Sequence, residues 1–136
     1  METVLGSAKN ILSTFLHFLE DGTAHEIPVS EAFWGELAAG NHPQLDRGRL
    51  MSAFTFAEPW NMWERHPAGE ELVMLISGAA TVVLEEPGQE RVVELTQPGA
   101  YVLIPQNTWH TARTAEPTTL LFLTPGAGTE HRPVGA

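Results

Sequence analysis

Glu64, His66, Glu71 and His110 are the residues of this chain whose types and spacing could do chemistry. Imidazoles and carboxylates together form the ligand set of one divalent metal ion, with Zn, Fe, Mn and Ni as the candidates. Alternate residues of a strand share a face, so an extended 62–66 segment presents Glu64 and His66 on one side. Glu71 follows the turn Pro67-Ala68-Gly69 and opens a row otherwise made of Val73 and Leu75. A lone carboxylate in an apolar row is costly to bury, and a metal removes that cost. Glu70 then points to solvent. His110 follows Pro105-Gln106-Asn107-Thr108, and its same-face neighbours Thr108 and Ala112 are small enough to leave room beside a metal. Trp63 and Arg65 take the opposite face. Trp60 and Met62 share the ligand face and are expected at the mouth, with Tyr101 and Thr108 as further substrate-contact candidates.

The elements that must position these residues are short strands. Segments 49–57, 62–66, 71–76, 79–84, 91–95, 100–104, 109–113 and 119–123 are rich in Val, Leu and Thr and are punctuated by Pro and Gly. Pro87-Gly88 reads as a hairpin turn and Pro98-Gly99 as another turn. Regular spacing of this kind predicts a closed antiparallel sandwich or barrel over 48–124. Ahead of it, Val4, Leu5, Ala8, Ile11, Leu12, Phe15, Leu16 and Leu19 recur at three- and four-residue steps. That spacing predicts an N-terminal α-helix, within residues 1–22, stopped by Asp21-Gly22. A connecting and covering segment fills 23–47, with Ile27-Pro28-Val29 as an edge strand and a turn of helix at Phe33, Trp34 and Leu37. The tail, 125–136, reads as a solvated loop, with a fold-back of His131 and Arg132 toward an opening as the less favoured reading.

The chain has 136 residues, a formal charge of −10 and no cysteine. It is long enough for one domain with a real core. Such a charge repels phosphate backbones and anionic lipid, so neither nucleic acid nor membrane is an expected partner. Thiolate metal sites and disulfides are excluded. The N-terminus lacks a signal-peptide pattern and no apolar run would span a bilayer, so a cytoplasmic location is expected.

These residues resemble the cupin superfamily. Its first motif runs, in outline, G-x5-H-x-H-x3–4-E-x6-G, and its second G-x5-P-x-G-x2-H-x3-N. Glu64-x-His66-x4-Glu71-x6-Gly78 is similar to the first from its second His onward, and Gly99-x5-Pro105-x-Asn107-x2-His110 is similar to the second. The resemblance implies an all-β, single-domain jelly-roll (double-stranded β-helix) barrel, to which the N-terminal helix would be an addition. Departures are Glu64 in place of a first His ligand, Glu58 for the opening Gly, Asn107 for a Gly and Thr114 for the closing Asn. Asn tolerates the left-handed backbone that Gly normally supplies.

The resemblance implies a metal held by His66, Glu71 and His110, with Glu64 as fourth ligand or catalytic base. The expected activity is metal-dependent chemistry on a small oxygen-bearing metabolite, of isomerase/epimerase or dioxygenase type according to the metal. The alternatives are a non-catalytic sensor or storage module, and a metal-free barrel in which the four residues pair with one another. Strands apolar on both faces, together with the amphipathic N-terminal segment, lead us to expect a homodimer.

Overall fold

The computed structural model describes residues 7–135. In chain order the strands are β1 (Thr14–Phe18), β2 (Ala24–Pro28), β3 (Arg49–Phe56), β4 (Met62–Arg65), β5 (Glu71–Ser77), β6 (Ala80–Glu86), β7 (Gln89–Leu95), β8 (Tyr101–Ile104), β9 (His110–Arg113), β10 (Thr118–Pro125) and β11 (Glu130–Pro133). A helix, α1 (Phe33–Ala38), and a short 3-10 turn, Pro43–Asp46, lie between β2 and β3. One antiparallel sheet runs β2-β1-β3-β10-β5-β8 and the other β11-β4-β9-β6-β7. The chain is an all-β double-sheet barrel, and each of the eight segments expected between 49 and 123 forms a strand.

Alternation places the core. Val73, Leu75, Ile104 and Leu120 from the six-stranded sheet, and Val82, Leu84, Leu95 and Ala112 from the five-stranded one, are buried in one cluster. Each of these Val, Leu and Ile side chains stabilises the fold by roughly 1.5–3 kcal/mol. A second cluster, Phe15, Phe33, Leu45 and Leu50, joins α1 and the 3-10 turn to the sheet. Among the described residues no helix is long and apolar enough to cross a membrane.

The N-terminal helix is corrected. Positions 3–6 lie outside the described residues, but residues 14–18 form a strand in which Phe15 and His17 are buried and their neighbours only half-buried, a period of two. The same apolar residues satisfied a helical spacing. What decides is the hairpin: β1 pairs with β2 over Thr14↔Pro28 to Phe18↔Ala24, and also with β3. Asp21-Gly22 is a turn signal, not a helix stop. The Asp21 carboxylate accepts from the Thr23 amide at 2.9 Å and its hydroxyl at 2.6 Å, and Gly22 takes φ +89°. His17 donates its Nε2–H to the Arg47 carbonyl at 2.6 Å.

The tail is corrected as well. β11 pairs with β4 from Glu130↔Arg65 to Pro133↔Met62. On the outer face Arg132 lies 5.1 Å over Trp63 and 4.7 Å over Trp109, and forms an ion pair with Glu85. Arg65 stacks 4.6 Å over Trp109 and meets Glu130 at 2.5 Å. Stacked guanidiniums with carboxylate partners hold this edge strand down, a feature that depends on residues far apart in sequence.

Candidate metal centre

Both sheets contribute to one cluster. Glu64 of β4 is paired directly with His110 of β9, and Glu71 opens β5 on the opposing sheet. His66 follows the end of β4, and its carbonyl accepts the Asn107 amide at 3.0 Å. Asn107 holds φ +59°, which lets the chain turn back into β9 with a side chain where Gly is usual. Gly78 takes φ +85°, and an added Cβ would sit 2.5 Å from both the Pro117 carbonyl oxygen and Thr118 Oγ1.

One ligand atom from each of Glu64, His66, Glu71 and His110 lies within 4.8 Å of the others. Glu71 Oε1 is 3.0 Å from His110 Nε2, and Oε2 is 3.2 Å from His66 Nε2. Glu64 Oε1 is 3.6 Å from His66 Nε2 and 3.8 Å from His110 Nε2. A metal bound at about 2.0–2.1 Å separates neighbouring donors by roughly 3.0–3.4 Å; the two Glu71–imidazole separations fall in that range, and Glu64 stands slightly outside it. His66, Glu71 and His110 are 4%, 2% and 1% exposed, whereas the Glu64 side chain is 22% exposed. His66 Nε2, His110 Nε2 and Glu71 Oε1 are buried yet make no hydrogen bond, despite the short separations. Buried polar atoms are nearly always paired. Three orphans converging on one point fit a metal ion.

The remaining atoms of these side chains are occupied. His110 Nδ1 is 3.0 Å from the Thr108 carbonyl, which can only accept, so Nδ1 carries a hydrogen and Nε2 is the ring nitrogen that faces the cluster. Thr124 Oγ1 donates to Glu71 Oε2 at 2.6 Å. His66 Nδ1 is 2.9 Å from Thr129 Oγ1. His131 Nε2 is 3.3 Å from Glu64 Oε2.

Burial would lower the His66 pKa, but the Glu64 and Glu71 carboxylates outweigh it and raise it to about 9. For Glu71, burial pushes upward and the two imidazoles push further downward, leaving it below the usual carboxylate range. Glu64 likewise overcomes burial, through His131 and His66, and lies far below that range. His131 is raised by Glu64.

The four substrate-contact candidates fare differently. Trp60 packs against Phe54, Phe56 and Phe122 at centroid distances of 6.4, 5.9 and 5.8 Å, and its Nε1–H is buried without a partner. Met62 shares the Glu64 face and is 38% exposed at the end of β4. Tyr101 is corrected: it pairs with Met74 and is 59% exposed, while the alternate residues Val102 and Ile104 turn inward, so it stands on the outer face. Thr108 lines a separate surface concavity of about 640 Å³ with Glu85, Gly88 and Trp109. Its link to the cluster is its backbone carbonyl. Sequence reasoning missed Thr124, and Thr129 and His131 were placed in a solvated tail. Thr124 was recoverable, because it lies one residue past the predicted strand 119–123 and continues the alternation of the inward Phe122, and the strand in fact runs Thr118–Pro125.

The chain matches no protein-family model and none of the curated proteins. Among solved structures it is similar to a mutant of Bacillus subtilis oxalate decarboxylase, at 21% identity and TM-score 0.51 over 63% of this chain and 24% of that one. It is also similar to peruvianin-I, a cysteine peptidase from Thevetia peruviana latex, at 18% identity and TM-score 0.53 over 63% and 56%. A cupin superfamily protein from Desulfitobacterium hafniense matches at 20% identity and TM-score 0.47 over 56% and 65%. Less than two thirds of each of these structures is matched. The likeness is one of fold, of the cupin type: two antiparallel sheets closed into a jelly roll, with a His/Glu cluster between them. Fold does not carry activity here. This chain has no cysteine, so it lacks the thiol that a cysteine peptidase needs.

Proposed function

We propose that this protein binds one divalent metal through His66, Glu71, His110 and Glu64 and acts on a small oxygen-bearing metabolite. The observation that carries the reading is the convergence of three buried, unpartnered donor atoms with Glu64 Oε1. A bound metal would supply Lewis acidity at a carbonyl or carboxylate oxygen, or an open position for dioxygen, according to its identity. Glu71 neutralises charge from the buried side. Glu64 is the most exposed of the four. A carboxylate held far below its usual pKa is a weak general base, which supports Glu64 as the fourth ligand in preference to a catalytic base. Trp60 offers an indole N–H to an oxygen atom of the substrate, and Met62 an apolar contact at the rim.

Metal uptake followed by turnover across a panel of sugars, keto acids, diketones and small acids tests this reading. The panel includes oxalate, the acid in the name of one structural neighbour. Glu64→Gln divides the roles. A ligand role predicts weakened metal binding. A base role predicts intact binding and a lost rate. Metal-loaded protein that turns over nothing across the panel would point to a sensor or storage module instead.

A further inference from the structure

The four cluster residues have four outer partners, and two of them come from one short C-terminal segment. Thr129 meets His66 Nδ1 at 2.9 Å and His131 meets Glu64 Oε2 at 3.3 Å. Both contacts fall on the ligand atom turned away from the cluster. His66 Nε2 and Glu64 Oε1 are the atoms that face it. The segment is attached independently of these contacts, by its ladder on β4 and by Arg132 stacked between Trp63 and Trp109. β11 is also the edge of its sheet.

We propose that residues 129–133 form a strap that completes the metal site, with Thr129 and His131 as positioning residues for His66 and Glu64. The inference rests on the metal reading above and adds to it the source of the outer shell. With Nε2 facing the cluster, the metal-competent His66 carries its proton on Nδ1 and donates it to Thr129 Oγ1. This fixes the ring's tautomer and orientation. His131 donates Nε2–H to Glu64 Oε2, which leaves Oε1 as the free end. Outer partners of this kind are typically worth 10- to 100-fold in metal affinity. The coupling is reciprocal, so a bound metal also holds the strap down.

The test is metal affinity of the full chain and of strap variants, using Mn²⁺ for affinity and Co²⁺ for its visible ligand-field bands. His131→Ala and Thr129→Val are expected to weaken Mn²⁺ binding by about 10- to 100-fold each and to shift the Co²⁺ bands. Thr129→Ser keeps a hydroxyl and His131→Gln keeps a donor, so both are expected to recover most of the affinity. A merely structural strap would show no such rescue. Melting of the metal-free variants serves as the folding control, and if one alanine or valine variant fails to fold the other carries the test. A full chain that binds Mn²⁺ while both variants bind within twofold of it overturns the strap and leaves the metal site standing. A full chain that takes up no metal overturns both.

Discussion

Metal affinity should rise steeply with pH, because the metal must displace a proton from His66. The perturbation is a change from pH 7 to pH 8 in metal-free protein. His66 titrates at about 9 between the Glu64 and Glu71 carboxylates. At pH 7 only about 1% of it is neutral, and at pH 8 about 9%. Apparent affinity scales with the neutral fraction, so His66 alone tightens binding about ninefold over this one unit. A histidine at the ordinary value of 6.5 would give only about 1.3-fold. Glu64 and Glu71 contribute nothing in this window, since both are ionised throughout. Calorimetric titration with Mn²⁺ in two buffers of different ionisation enthalpy reads both the affinity and the protons released. The expected result is close to one proton from His66 and about a ninefold change. A change under twofold with no proton release would refute the reasoning about the His66 environment.

Five further outcomes follow from the structure. Metal-free protein should lose stability between about pH 6.5 and 9, by up to about 3 kcal/mol, because a raised histidine pKa stabilises below the unfolded value and that contribution is gone above the folded one; thermal melts in chelator at pH 6.5 and 9.5 check it, and equal melting temperatures would contradict it. On the acid side the depressed Glu64 and Glu71 reverse the sign, so stability should also fall as pH drops below about 4.5. Gly78→Ala should cost more than about 2 kcal/mol in chemical denaturation, since the added Cβ meets the Pro117 carbonyl at φ +85°, whereas Asn107→Gly should stay within about 1 kcal/mol. Trp60→Phe should leave metal affinity unchanged and raise the KM of whatever substrate the panel identifies, because it removes the buried unpartnered N–H. Ile76, Tyr101 and Leu103 expose an apolar outer face beside the sheet-edge strand β8, which supports a homodimer; light scattering should give twice the chain mass at micromolar concentration, and a monomer mass would refute it.

The barrel was legible because its strands are short, β-branched and separated by turn residues, so period and punctuation agree from Arg49 onward. The four cluster residues were legible because strand alternation ties Glu64 to His66 and puts Glu71 at the start of a buried row. The first hairpin was not, since Phe15, Leu16 and Leu19 fit either period and only pairing with β2 and β3 selects the strand. The outward face of Tyr101 was not legible, because its register against Met74 is what decides it. β11 was missed because Glu130-His131-Arg132-Pro133 has no strand propensity of its own. It becomes a strand through Trp63, Trp109 and Glu85, none of them near it in sequence.

The central claim is that this barrel holds one metal between His66, Glu71, His110 and Glu64. Elemental analysis of protein purified without added metal tests it most directly, alongside His66→Ala and His110→Ala. The structure predicts close to one equivalent of a divalent transition metal in the full chain and little in either variant. No metal as purified, and no uptake on reconstitution with Mn, Fe, Ni or Zn, would contradict it and leave the four residues as a self-paired polar cluster.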